Sequence, residues 1–339
     1  MSPVPTSAFA FAVCQPGMER WLKQEVSKLR PDLRPAFQRP GLVTFKATEG
    51  PFRPTDVPAT IFARAWGCSG GPARSVDEVL IVAQGTGARV AWVSPRDAGI
   101  PDEIPPALQV AVDADAQRWS LGVMGAGKFG NTPRRDEVVL DVITFPGEPA
   151  LVGWHAHSLK HHQGPGGRYA YDVPAGLPSR TWRKVVEGLT WSNIAMRGQV
   201  VLELGASPGG GTQAFVEAGA RVYAVDPRPL SPAVLALPGV RYVERHVGDI
   251  ALNELPSETT WLACDTAAPP ADEWGAMRRL LPALPALRGV FWLVKLVDDS
   301  TIRGLPRLLR ELSQAGFNHV NARQLPANRR DLCVVATRG

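Results

Sequence analysis

The sequence predicts an α/β protein, with a nucleotide-binding, mainly parallel sheet in its C-terminal half and α+β blocks ahead of it. Three observations carry that prediction. Residues 200–226, VVLELGASPGGGTQAFVEAGARVYAVD, join an apolar run to a glycine-rich loop, a helix-period segment and a second strand that ends on an acid. Beyond them, strand and helix signals alternate, as parallel sheets require. Before residue 165, short strand and helix signals are interrupted by proline.

Taken in order, the spacing predicts a strand over Phe9–Val13, an amphipathic helix over Gly17–Leu29 and a strand over Gly41–Lys46. Proline-rich breaks are expected at 31–40 and 51–58. A second α+β block follows, with elements at Thr60–Trp66, Ser75–Gln84, Val90–Val93, Ala107–Gln117 and Val138–Phe145. Gly164-Pro-Gly-Gly167 reads as a linker. The expected strands of the C-terminal half are Val200–Leu204, Arg221–Val225, Val240–Glu244, Thr260–Cys264, Gly289–Leu296, His319–Gln324 and Leu332–Thr337. Helices are expected at Arg180–Thr190, with Ser179 as its N-cap, and at Gly211–Ala218, Pro270–Leu281 and Thr301–Gly316.

The 339 residues suffice for two or three domains, and 45% hydrophobic content fits a globular chain. No apolar stretch approaches the ~18–20 residues of a membrane span. The start, MSPVPTSAFAFAVCQPG, has no basic region ahead of its apolar patch and is not read as a signal peptide. Four scattered cysteines, Cys14, Cys68, Cys264 and Cys333, suit free thiols in a reducing cytoplasm. A net charge of +5 and a pI of about 9.2 favour an anionic partner, nucleic acid first. The basic residues lean towards arginine, whose fork matches phosphate, with pairs at Arg134-Arg135, Arg278-Arg279 and Arg329-Arg330.

The loop Gly205-Ala-Ser207-Pro208-Gly209-Gly210-Gly211 lacks the G-x-G of dinucleotide sites and the Gly-Lys-Ser/Thr of a Walker loop. It suits a ligand without a pyrophosphate. Asp226 follows at the roughly 20-residue spacing at which an acid meets a ribose diol. Ligands of such sheets sit at the carboxyl ends of the strands. There, Asp265 ends TWLAC and Lys295 ends VFWLV. Asp331 starts LCVVAT, and an antiparallel last strand would bring it to the same edge. Lys184 lies in the helix ahead of the loop, so four ionisable groups are expected to converge there. Such groups are costly after apolar runs unless paired or facing a cleft.

The loop E-L-G-x-x-P-G-G resembles the S-adenosylmethionine loop of class I methyltransferases, particularly the FtsJ-like RNA 2′-O-methyltransferases. Ser-Arg-x-x-x-Lys184 and the order Lys184, Asp265, Lys295, Asp331 resemble the catalytic tetrad of that family, which ends in Glu where this chain has Asp331. Ser207 and Gly211 also depart from the Cys and aromatic residue of close relatives. The resemblance implies a seven-stranded Rossmann-like sheet whose last strand is antiparallel. It implies S-adenosylmethionine held by Gly205, Ser207, Pro208, Gly209, Gly210, Asp226, Asp249 and Asp265, with Arg180, Arg329 and Arg330 meeting RNA. Lys295 is expected to act as general base on a ribose 2′-hydroxyl, made neutral by burial and by the like charge of Lys184. Asp265 would orient it.

Two other methyltransferase chemistries fit poorly. Asp265-Thr-Ala-Ala-Pro-Pro is not the Asn/Asp-Pro-Pro-Tyr box of amine-directed enzymes, and Cys264 lies inside an apolar strand rather than at a nucleophile's position. The string His155-Ala-His157-Ser-Leu-Lys-His161-His162 lacks a fixed scaffold for metal ligation, so no metal is expected; it reads as a loop beside RNA.

Cys14-Gln-Pro-Gly-Met-Glu-Arg-Trp-Leu-Lys-Gln-Glu-Val26 and Ile61-Phe-Ala-Arg-Ala-Trp66 resemble the front end of the THUMP-containing 23S rRNA cytidine 2′-O-methyltransferases, the RlmM family. That resemblance implies a ferredoxin-like domain at 1–55, a THUMP-like RNA-binding domain at 56–165 and the methyltransferase domain at 166–339. It implies 23S rRNA as partner. A catalytically silent RNA-binding protein and a methyltransferase acting on tRNA or a small molecule stay open as alternatives.

Overall fold

A computed structural model describes residues 4–97, 99, 104–158 and 163–339. The chain divides into two compact units, Met1–Ala170 and Tyr171–Gly339, each built on a seven-stranded sheet.

The first unit runs β1 (Phe9–Cys14), α1 (Glu19–Leu29), β2 (Leu33–Arg39), β3 (Leu42–Ala47), β4 (Ala63–Ala73), α2 (Val76–Thr86), β5 (Val90–Pro95), α3 (Pro106–Gly127), β6 (Val138–Thr144) and β7 (Ala150–Ala156). The strands lie in the order β2-β3-β1-β4-β7-β6-β5. All neighbours are antiparallel except β5 and β6. The 11-residue β4 pairs with both β1 and β7, so one continuous sheet passes through the expected division near residue 55.

Sequence pattern explains the helices. In α1, Trp21, Leu22 and Val26 fall on one buried face. In α2, the Ser75 hydroxyl accepts from the Glu78 amide and Gly87 closes the helix in the left-handed region. Val79, Ala83, Trp119 and Val123 of α2 and α3 pack on Leu140, Val142 and Val152. Strand alternation sends Phe11, Val13, Leu42, Ala65 and Ile143 into a separate, smaller cluster.

Two expectations are corrected here. Residues 31–40 are not a break, because they hold β2, an edge strand exposed beyond Leu33, with Pro35 beside a register shift. Proline is tolerated there because an edge strand leaves amides unpaired. Gly164–Gly167 is not a free linker. It is a tight turn on which the Arg64 guanidinium donates to the Gly166 carbonyl at 3.0 Å, and a Cβ at Gly167 would stand 2.5 Å from the Arg64 carbonyl.

The second unit runs α4 (Thr181–Ser192), β8 (Val200–Leu204), α5 (Gly210–Glu217), β9 (Arg221–Asp226), α6 (Pro232–Leu235), β10 (Val240–Glu244), β11 (Trp261–Cys264), α7 (Pro270–Leu280), β12 (Gly289–Lys295), α8 (Asp299–Gln314), β13 (His319–Arg323) and β14 (Asp331–Thr337). The order is β10-β9-β8-β11-β12-β14-β13, and β14 alone runs antiparallel to its neighbours. This is a Rossmann-like sheet with an antiparallel strand, β14, inserted near one edge. Helices cover both of its faces, and β12 shows how. Phe291 meets Phe215 of α5 edge to face at 5.5 Å, while the next residue, Trp292, stacks on Trp274 of α7 at 6.5 Å.

Gly188 lets α4 lie closest to the sheet. A Cβ there would stand 2.4 Å from the Phe291 ring and 2.9 Å from the Cys333 sulfur. That close approach sets the height of Lys184, one turn earlier, against the sheet edge. Ser179 is not the N-cap, since α4 begins after Arg180, but its hydroxyl still accepts from the Thr181 amide at 3.3 Å.

Candidate active site

The carboxyl ends of β8, β9, β11 and β12 open on a cleft of about 670 Å³. That volume suits a small-molecule ligand. Gly205, Asp226, Asp265, Lys184 and Lys295 line it. Gly205 sits at φ +81°, and a Cβ there would come within 2.6 Å of the Asp265 carbonyl. Only glycine lets β8 turn away this close to β11.

The four ionisable groups anticipated from three strand ends and the helix ahead of the loop form one chain. Strand register places Lys295 directly opposite Asp331 across β12 and β14. Lys184 pairs with Asp331, and Lys295 pairs with Asp265. The Lys295 ammonium also lies 3.6 Å from Asp331. The alternation is therefore Lys184, Asp331, Lys295, Asp265, with the shorter Asp331 in contact with both lysines. These side chains are 11% to 23% exposed, so the pairs are only partly screened by water.

The charge state of Lys295 differs from the expectation. Burial pulls its pKa down, but Asp265, Asp331 and Glu273 outweigh burial and hold the ammonium above its usual 10.5. The like charge of Lys184 does not make it neutral, because Asp331 stands between the two. In the protein alone, Lys295 is a cation.

Asp226 is buried at the end of β9 and accepts from the Ser207 amide at 3.1 Å and the Arg228 amide at 2.9 Å. A carboxylate has about four acceptor positions, so it keeps capacity towards the cleft. The Ser207 hydroxyl donates to the Pro229 carbonyl, and the Pro208 carbonyl accepts from Ser231. Gly209 and Gly210 shape the turn into α5, where a Cβ on Gly210 would strike the Ser179 hydroxyl at 2.2 Å. Ser207, Pro208, Gly209 and Gly210 thus brace the loop rather than line the cleft. Asp249 is exposed in a short 3₁₀ turn, and its neighbours Val247 and Gly248 reach the cleft instead.

Arg180 is exposed at the start of α4, and Arg330 is exposed beside the site, its carbonyl accepting from the Leu296 amide at 2.8 Å. Arg329 is half-buried at φ +47°, in the turn that delivers Asp331. That turn is fixed from below, where Glu187 of α4 accepts from the Ala327 amide at 2.7 Å.

Three residues of the site were missed. Thr181 donates to the second carboxylate oxygen of Asp265 at 2.9 Å and so orients it. Glu273, in the first turn of α7, accepts from Thr266 at 2.6 Å and from the Trp292 indole at 2.7 Å. Burial pushes its carboxyl up to about 7. Glu203, in the middle of β8, is pushed up to about 8 by burial and accepts from the Thr212 hydroxyl. Its carboxyl lies where a side chain at Gly211 would stand, 2.2 Å from a Cβ, so no aromatic residue fits there. The sequence signal for Glu203 was an acid inside an otherwise apolar strand. Glu273 looked like an ordinary acid in a helix's first turn.

Cys264 is buried, and burial raises its thiol well above the usual range, consistent with a core position. His155 and His157 are also buried, His155 within β7 and bonded to Asp141 at 2.5 Å, so this half of the histidine string is not an exposed loop. His161 and His162 lie outside the described residues. Among the described residues, no group of three or more His, Cys, Asp or Glu side chains is arranged for a metal. No described helix is long and apolar enough to cross a membrane.

Comparison with known proteins bears on this geometry. Residues 177–329 match the FtsJ-like methyltransferase family. That match lies within the second unit. The chain is similar to proteins called ribosomal RNA large subunit methyltransferase M. That of Chromohalobacter salexigens is 29% identical over 180 residues, covering 50% of each chain. That of Proteus mirabilis is 28% identical over 173 residues, covering 48% of this chain and 47% of the relative. That of Alkalilimnicola ehrlichii is 33% identical over 105 residues, 29% of this chain and 28% of the relative. The chain spans about half the length of the curated relatives it matches. Lys184, Asp265 and Lys295 lie within the matched residues, and Asp331 falls just beyond them.

Proposed function

We propose that this protein is an S-adenosylmethionine-dependent RNA ribose 2′-O-methyltransferase acting on large-subunit rRNA, with a 23S cytidine as the target. The observation that carries the reading is the alternating chain Lys184, Asp331, Lys295, Asp265 at the mouth of the cleft. The relatives' name, ribosomal RNA large subunit methyltransferase M, supports the choice of RNA. A cytoplasmic location belongs to the same reading.

The cleft fits the methyl donor. Gly205 gives the cradle in which a Cβ would collide, and Asp226 offers a buried carboxylate to a ribose diol. When bound there, S-adenosylmethionine supplies a methyl group on a cationic sulfonium, a like charge that lowers the pKa of Lys295. Lys295 would take the proton of the 2′-hydroxyl whose oxygen receives the methyl group, the bond from that methyl to sulfur breaking and the sulfur leaving as a neutral thioether. Asp265, steadied by Thr181, stabilises the ammonium that forms. Lys184 and Asp331 hold the ribose and its neighbours in line, since placement carries much of the rate. Arg180, Arg329 and Arg330 contact RNA phosphates, and the first unit, read as ferredoxin-like and THUMP-like, selects RNA by shape.

The test is transfer of labelled methyl to protein-free rRNA, with the product mapped as a 2′-O-methyl nucleotide. Loss of transfer in Lys295→Ala and Asp265→Ala is expected. Undiminished 2′-O-methylation in both would sink the mechanism. RNA binding without binding of the methyl donor by calorimetry would favour a silent RNA-binding protein instead.

A further inference from the structure

The first unit holds a larger cavity than the active-site cleft, a groove of about 810 Å³. Leu42, Ile143 and Leu151 line its floor, on the strand face that α2 and α3 leave to the smaller core cluster. Phe9 and Phe37, 38% and 45% exposed, stand on its walls. The Arg39 guanidinium lies 4.6 Å over the Phe37 ring, and the Arg96 guanidinium 4.0 Å over the Phe145 ring. Glu148 accepts from Arg39 at 3.2 Å and from Arg96 at 2.9 Å, which holds both planar cations in place. It is the one acid among the lining residues.

We propose that this groove binds unpaired nucleobases of a single-stranded RNA segment, stacked on Phe9 and Phe37 with the backbone beside Arg39. The inference rests on the reading that the chain's target is RNA. Its physical basis is independent of the catalytic tetrad. Planar rings and planar guanidiniums favour planar ligands, and each base has a π face that an aromatic side chain can cover. Arg39 is the exposed cation of the rim, while Arg96 is buried beneath it and holds Glu148, so the rim offers a positive group to a phosphate backbone. The apolar floor excludes water beneath a base. Paired RNA hides its base faces, so the groove discriminates single strands from duplex. The site lies wholly within the first unit and gives that unit a role in choosing the unpaired part of a target.

The test is direct binding by the full chain, using a labelled single-stranded oligouridine of about 12 nucleotides, within the usual range of such sites, and a blunt RNA duplex of equal length. Anisotropy is expected to show tighter binding of the single strand. Phe37→Ala and Phe9→Ala should each weaken it about tenfold, within the range for one base–aromatic stack, and Phe37→Tyr should restore it. Urea midpoints check that the variants fold. With 4-thiouridine in the oligonucleotide, photocrosslinks are expected within residues 5–15 and 34–45. Unchanged affinity in the double Phe9→Ala, Phe37→Ala variant, equal competition by duplex, or crosslinks confined to residues 171–339 would overturn the proposal. Methyl transfer measured in parallel separates the two readings. Stacking-dependent binding without transfer would remove the proposed reaction and keep the groove, whereas transfer with crosslinks elsewhere would remove the groove.

Discussion

The two seven-stranded sheets place their chemistry differently. The second is mainly parallel, and helices cover both faces of β8, β11 and β12, whose residues are buried almost throughout. Its reactive groups therefore gather at one edge, where the strands end in Asp265 and Lys295 and β14 begins with Asp331. The first is mainly antiparallel, and β2 at its edge is exposed. Its accessible aromatic and basic groups lie along a face, in the groove beside Phe9 and Phe37. Parallel strands need crossover helices on both sides, and antiparallel strands do not. Connectivity decides whether a site sits at an edge or on a face.

That comparison can be broken or sharpened by substitution. The largest effect is expected at the edge. Lys295→Ala should cut methyl transfer by about 10²–10⁴, the usual contribution of general base catalysis, with the methyl donor still bound by calorimetry. Gly188→Ala tests how tightly a covered face is packed. Its Cβ would meet the Phe291 ring, so a loss of ~1–3 kcal/mol is expected in urea unfolding. If stability is unchanged, α4 is not held at the height argued for Lys184.

Asp331→Asn keeps the shape of the edge and removes one charge. kcat/KM should fall about tenfold or more, since a charged hydrogen bond is worth ~1.5–3 kcal/mol. The pH profile should move as well. In the proposed mechanism Lys295 must be deprotonated to act as a base, and Asp331 is among the groups that raise its pKa. Removing that charge lowers the pKa, so the alkaline rise in rate should shift to lower pH. A shift to higher pH would contradict the charge chain.

Glu203 gives a smaller, distributed effect. Its folded pKa is about 8 against an ordinary 4.5, raised mainly by burial. Between those values the native state binds more protons than the unfolded chain, so this group's contribution to stability falls as pH rises through the window and is level above it. Urea midpoints of Glu203→Gln should lack that part of the slope. The smallest effect is expected on the open face. Phe37→Ala should change stability by less than ~0.5 kcal/mol, as exposed positions do; a larger loss would mean that the groove is part of the core.

The strands of the second unit were legible to within about a residue, the central ones as near-continuous apolar runs bounded by turn residues. The longer helices were read almost as well, from their apolar stripes, but the four-residue α6 was not anticipated. The first unit was harder. β7, Ala150–Ala156, was not anticipated, and its histidines hid a buried strand. In β2, Pro35 and a row of exposed side chains carried the signature of a loop, because an edge strand buries too little to show a pattern. At the site, residue types at strand ends marked Asp265, Lys295 and Asp331, and the Ser-Arg-x-x-x-Lys pattern ahead of the loop marked Lys184. Thr181 and Glu273 were invisible because they act through partners distant in sequence, Asp265 and Trp292.

By itself the sequence determined the order of strands in the second unit, the glycine turn and the four ionisable groups, since each follows from local pattern, from the rule that ligands meet strand ends or from the family resemblance. Only the tertiary structure decided which lysine pairs with which acid. It placed Asp331 between Lys184 and Lys295 and so fixed the charge state of Lys295, because a pKa depends on distances across strands that no local pattern records.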